Sequence, residues 1–125
     1  MKRILIIDDE YNNCLLLEEI LEDSEEKFQI VSAENGELGL DKLQHEKFDV
    51  VFLDMMLPVI NGIQIIDIVK CQWKLDDLKV IVITGNSNKF TSKDWYYDYV
   101  DAFITKPYRS KTILDTLNKL LKTGR

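Results

Sequence analysis

The sequence predicts an α/β fold: a five-stranded parallel sheet with helices on both faces. Three observations predict it. Five short apolar runs recur along the 125 residues, rich in β-branched side chains and mostly continuous, as strands buried on both faces are. Stretches with helical spacing of apolar residues separate them. Right-handed crossovers between strand and helix then leave little but a parallel sheet.

The strands are expected at Ile4 to Ile7, Phe28 to Ala33, Val50 to Leu53, Val80 to Ile83 and Ala102 to Ile104. A first helix follows from the stripe Leu17, Ile20, Leu21, and a second, weaker one from Leu40 and Leu43. Ile65, Ile66, Val69 and Trp73 mark a third. The segment from Ser87 to Tyr99 is expected to form the fourth, although Trp95, Tyr96 and Tyr97 crowd together after a polar stretch. Ile113, Leu117, Leu120 and Leu121 give the clearest stripe, and the fifth helix. No linker, repeat or low-complexity segment interrupts the alternation, so residues 1–125 are expected to be one domain.

Composition narrows the function. With 46% hydrophobic and 30% charged residues the chain has an ordinary globular balance, and no apolar stretch approaches the ~20 residues that span a bilayer. Neither an anchor nor a signal peptide is expected. Cys14 and Cys71 lie far apart, with no CxxC spacing and no histidine cluster, which argues against a disulfide framework or zinc site and for a reducing cytoplasm. The net charge of -6 argues against nucleic acid as a direct partner. That charge is uneven, acidic from Glu18 to Glu26 and basic from Lys106 to Arg125.

The chemistry gathers at the strand ends, where parallel sheets place function. Asp8 and Asp9 end the first run, Asp54 the third, Thr84 the fourth, and Lys106-Pro107 follow the fifth. Carboxylates brought within a few ångströms of one another raise each other's pKa unless a cation intervenes. Mg²⁺ (or Mn²⁺) suits hard oxygen donors of this kind. A carboxylate beside such a cation can attack a phosphoryl group, with Lys106 and the Thr84 hydroxyl meeting the phosphoryl oxygens and Gly85 leaving room for it.

These motifs resemble the receiver domains of two-component response regulators, of the chemotaxis-regulator-like kind, over essentially the whole chain. The resemblance is carried by Ile4-Leu5-Ile6-Ile7-Asp8-Asp9-Glu10, by Asp54-Met55-Met56-Leu57-Pro58-Val59-Ile60-Asn61-Gly62, by Val80-Ile81-Val82-Ile83-Thr84-Gly85 and by Phe103-Ile104-Thr105-Lys106-Pro107. It implies a flavodoxin-like (βα)5 three-layer sandwich with strand order 2-1-3-4-5. It implies that Asp54 accepts a phosphoryl group from a histidine kinase or histidine phosphotransfer protein. Asp8, Asp9, Asp54 and the backbone carbonyl of Met56 would hold the metal, and Thr84 and Lys106 would contact the phosphoryl oxygens. Phe103 would be the switch aromatic, turning inward as Thr84 moves and altering the face of the fourth helix, fifth strand and fifth helix for a downstream protein, either as a monomer or as a phosphorylation-dependent dimer. Lys106-Pro107 would be a cis peptide.

The sequence departs from the family at several points. Met56 stands where a polar side chain often orients water, Gly85 replaces the commoner alanine, and aromatic residues crowd the fourth helix. Two alternatives stand beside the receiver: a docking module that never sees phosphate, and an aspartyl-nucleophile phosphohydrolase, which would place an Asp at position 56. His45 is expected to be an exposed bystander, and Gly36 and Gly39 to serve turns and helix packing rather than a phosphate loop. Val59 and Ile60 are read equally as loop anchors or as an exposed patch.

Overall fold

The computed structural model describes residues 1–85 and 89–123. Five parallel strands, β1 (Lys2–Ile7), β2 (Phe28–Ala33), β3 (Val50–Asp54), β4 (Lys79–Thr84) and β5 (Ala102–Thr105), form one sheet in the order β2-β1-β3-β4-β5. All five expected strands are present; β2 has the expected bounds and the other four are extended by a residue or two. Register sets Ile7 beside Leu53 and Ala33, Asp54 beside Ile83, and Thr84 beside Thr105, so the carboxyl ends of β1, β3, β4 and β5 finish at one edge.

Alternate residues of the central strands feed two cores. Ile4, Ile6, Val50, Phe52, Ile81 and Ile83 pack with Cys14, Leu17 and Ile20 of α1 (Tyr11–Glu22) and with Ile113 and Leu117 of α4 (Ser110–Thr123). Leu5, Ile7, Val51, Leu53, Val80 and Val82 pack with Leu43 of α2 (Gly36–His45) and Ile65 and Ile66 of α3 (Gly62–Ile66). Helix α2 starts where Asn35 accepts the Leu38 amide at 2.7 Å, and α3 where Asn61 and Gln64 form a reciprocal capping box. Gly39 faces Ile7 so closely that a Cβ would lie 2.4 Å from Ile7 Cδ1, which makes it a packing residue, as expected.

Helix α3 does not stay α-helical. It passes into a π-helical turn, Asp67–Gln72, in which the Trp73 amide bonds the Ile68 carbonyl at 2.8 Å and Gln72 Nε2 donates to Asp67 Oδ2 at 3.0 Å, both five residues apart. Lys70 turns its ammonium back onto the carbonyls of Leu75 and Leu78, at 2.9 and 2.5 Å.

The fourth helix expected between Ser87 and Tyr99 is not found among the described residues; Ser87 and Asn88 lie outside them, and the rest is a chain of tight turns ending in a short 3₁₀ helix, Tyr97–Tyr99. Its backbone bonds run i to i+3, from Asp94 to Thr91, Tyr97 to Asp94 and Val100 to Tyr97. Thr91 and Asp94 explain the difference: the Thr91 amide donates to Asp94 Oδ2 at 2.9 Å and the Lys93 amide to Thr91 Oγ1 at 3.3 Å, local bonds that compete with a helix. Tyr96, 7% exposed, drops into the α2/α3 core in the place of a helix face.

Candidate functional site

Three strand ends and one loop bring the predicted residues together. Asp8 follows β1 and Asp54 ends β3; ligand oxygens of Asp8, Asp9 and Asp54 all lie within 4.8 Å of one another. Lys106 Nζ stands 3.7 Å from Asp54 Oδ2. Asp8, Asp54 and Thr84 are 7, 8 and 4% exposed, whereas Asp9 is open to solvent.

The backbone holds these side chains in place. The Glu10 amide donates to Asp8 Oδ1 at 2.9 Å, and the Met56 amide to Asp54 Oδ1 at 3.0 Å. The Lys106 amide donates to the Thr84 carbonyl at 2.8 Å, and Lys106-Pro107 is cis, as the resemblance implied. Gly62 closes the loop after Asp54. Its amide donates to the Met55 carbonyl at 3.2 Å, and a Cβ there would meet Met55 Sδ at 2.5 Å and Met55 Cα at 2.9 Å. Gly85 has open space where a Cβ would stand.

The charge is poorly compensated. Burial pushes the Asp8 carboxyl above its ordinary range, and the charges of Asp54 and Asp9 add to the effect, opposed by the Glu10 amide and by Lys106. Nearby, burial and the Asp8 charge push the Cys14 thiol up to about 11, and its Sγ–H reaches the Asp8 carbonyl at 3.6 Å. Tyr108, half-buried, is also raised, first by burial and then by Asp8. The donor set is three hard carboxylate oxygens with neither imidazole nor thiolate among them, and that chemistry fits Mg²⁺.

Phe103 lies on β5, half-buried, with its ring between two others. It stacks on Phe90 at 5.2 Å and 16°, and on Tyr97 at 5.4 Å and 24°. Phe90's part is not legible in the sequence, because the two partners lie thirteen residues apart and meet only through the fold.

His45 is exposed, its Nδ1 3.3 Å from Asp41 Oδ1. Cys14 is buried and Cys71 half-buried, and both are free. Ile60 anchors the loop against the core while Val59 is 94% exposed. Val59 also has φ 66°, at the centre of a three-residue turn closed by the Ile60 amide on the Pro58 carbonyl at 2.8 Å.

Comparison with known proteins identifies the family. The family model of the response regulator receiver domain matches residues 4–118. Response regulator ArlR of Staphylococcus aureus is 33% identical over 123 residues, 98% of this chain and 53% of ArlR. The chain thus spans about half the length of the curated relatives it matches. Among solved structures, response regulator TrrA of Thermotoga maritima, in complex with Mg²⁺-BeF, is 33% identical with a TM-score of 0.82, covering 96% of this chain and 99% of TrrA. A CheY-like receiver domain protein of Methanospirillum hungatei is 25% identical with a TM-score of 0.84, covering 99% of this chain and 96% of its own. This chain belongs to the response regulator receiver domains of two-component signalling. Among the described residues no helix is long and apolar enough to cross a membrane.

Proposed function

We propose that residues 1–125 form one cytoplasmic receiver domain in which Asp54 takes a phosphoryl group from a phosphohistidine of a histidine kinase or phosphotransfer protein. A carboxylate oxygen of Asp54 bonds to phosphorus, the phosphorus–nitrogen bond breaks, and the imidazole leaves with the electron pair. The Met56 amide holds Asp54 Oδ1, fixing the carboxylate for attack. Lys106 presents its ammonium to the incoming phosphoryl oxygens, and Thr84 its hydroxyl. Asp8, Asp9, Asp54 and the Met56 carbonyl would hold Mg²⁺, which neutralises charge on the transferring oxygens when bound. The protein catalyses only this transfer and a slow hydrolysis.

The observation that carries the reading is the meeting of Asp8, Asp9 and Asp54 within 4.8 Å beside Lys106 at 3.7 Å. Met56, exposed and apolar, gives no second carboxylate of the kind a phosphohydrolase needs. Incubation with acetyl phosphate and Mg²⁺ should add one phosphoryl group by intact mass, and Asp54→Asn should remove it. Labelling that persists in the variant overturns the assignment.

Output runs through Thr84 and Phe103 to the surface made by the Phe90–Tyr99 turns, β5 and α4, where a downstream protein binds. Turning Phe103 inward breaks both of its ring stacks, at about 1–3 kcal/mol together. Coupling free energies between sites are of the same order, so phosphorylation can drive the change.

A further inference from the structure

We propose that the ridge where the π-helical end of α3 meets the Trp95–Tyr99 turn is a docking site for a cationic segment of a partner protein, one presenting an arginine beside an apolar residue. Trp95 and Tyr99 are 52 and 41% exposed, their ring centroids 6.2 Å apart at 65°. Large aromatic side chains held side by side at the surface are the usual anchors of protein interfaces.

These two are held. Trp95 stands edge-on against Tyr96 at 5.6 Å, and Tyr96 is sunk in the core. Tyr99 packs edge-on against Trp95, and the neighbouring Cys71 of the π turn pushes its phenol up, with burial and the charges of Asp98 and Asp67 adding. Binding therefore orders little that is not already ordered, and the entropic cost is small.

The charge around the rings selects the partner. Asp98 is exposed and Asp67 partly so, and both carboxylates act on the Tyr99 hydroxyl. The Lys70 ammonium of the same π turn is engaged by the Leu75 and Leu78 carbonyls, and the exposed Lys93 is the opposing charge on the turn that carries Trp95. Ring faces flanked by carboxylates fit a guanidinium, which gains a cation–π contact and an ion pair at once. Nucleic acid and anionic lipid would meet the wrong sign.

The site names the chemistry of a downstream partner and rests on the receiver reading for its purpose alone. Docking is measured on unphosphorylated protein and on Asp54→Asn alike, so failure of phosphorylation and failure of docking are separate results. The ¹⁵N-labelled chain is titrated with two synthetic amphipathic helical peptides that differ only in carrying arginine or glutamate on the polar face. The arginine peptide should shift the Trp95 indole and Tyr99 amide resonances, weaken with salt, and lose about tenfold in affinity with Trp95→Ala and about threefold with Asp98→Asn, an exposed position that leaves the fold intact. The glutamate peptide should not bind. Shifts confined to the acidic α1 helix, or affinity unchanged in both variants, overturn the proposal. So does a Trp95 shift that follows protein concentration without peptide, which would make a second copy of this chain the occupant.

Discussion

Strand β3 carries an aspartate at each end of the sheet, and the two do opposite work. Just before β3, Asp49 Oδ2 accepts the Arg3 amide at 2.8 Å; on the same edge Asp101 Oδ2 accepts the Val80 amide at 2.8 Å, and the Arg3 guanidinium reaches Gln29, the Lys47 carbonyl and Glu46 while lying 4.4 Å over Phe48. At the other edge, five residues on, Asp54 meets two more carboxylates and a lysine at 3.7 Å. A carboxylate that faces a backbone donor is a staple. Asp54 also accepts an amide, that of Met56, but it faces two other carboxylates, and that repulsion makes the fold less stable.

A divalent cation should act on the carboxyl edge alone. Mg²⁺ at a hundred times its Kd should stabilise the native chain by about 2.7 kcal/mol in urea unfolding, and Asp54→Asn should lose most of the gain. An unchanged midpoint would place the carboxylates outside metal chemistry.

Substitution should next give opposite signs at the two edges. Asp49→Ala leaves the Arg3 amide without its acceptor and should destabilise by about 1–3 kcal/mol. Asp8→Asn keeps an oxygen for the Glu10 amide, removes a like charge, and should stabilise by about 1 kcal/mol without divalent cation. Equal signs would end the distinction.

Acidification sharpens it. Asp8, raised above its ordinary 3.8, binds its proton in the native state first, so its contribution improves as pH falls through that window. Glu46, held below its ordinary 4.5 first by the Arg3 hydrogen bond, contributes fully above 4.5 and loses its contribution as pH falls through the lowered value. Without metal, Asp8→Asn should lose stability more steeply than the native chain between neutral pH and about pH 4, and Glu46→Gln should lose it less steeply once the pH falls below about 4.5. Parallel curves would contradict both assignments.

The smallest effects lie in the loops of the carboxyl edge. Val59 is β-branched and left-handed, so Val59→Gly should stabilise by roughly 0.5–1 kcal/mol after the added chain entropy is counted. Gly85→Ala meets nothing within 4 Å and should change thermal stability by less than about 0.5 kcal/mol.

What the sequence made legible follows the same division. Strands buried on both faces read as unbroken apolar runs, and the residues that end them, Asp8, Asp54, Thr84 and Lys106, stood out against that background. The amino-edge staples did not, since a lone Asp49 or Asp101 looks like any turn residue until the strand pairing aims an amide at it. The expected fourth helix failed for a local reason, the bonds of Thr91 and Asp94 to the backbone. The π turn escaped notice because the five-residue pairing of Asp67 with Gln72 looks, on paper, like ordinary helix. Phe103's two neighbours were hidden because tertiary packing alone brings Phe90 and Tyr97 to its faces.

Thr84 sits 4% exposed with its backbone fixed: paired in register with Thr105, bonded through its carbonyl to the Lys106 amide, and next to Ile83, whose carbonyl takes the Met55 amide at 3.3 Å. A residue clamped in this way cannot slide toward a neighbour; it can only rotate about its Cα–Cβ bond, among three staggered positions. Whatever reaches Thr84 from Asp54 is therefore handed on as a dial with fixed stops, not as a spring that yields by degrees.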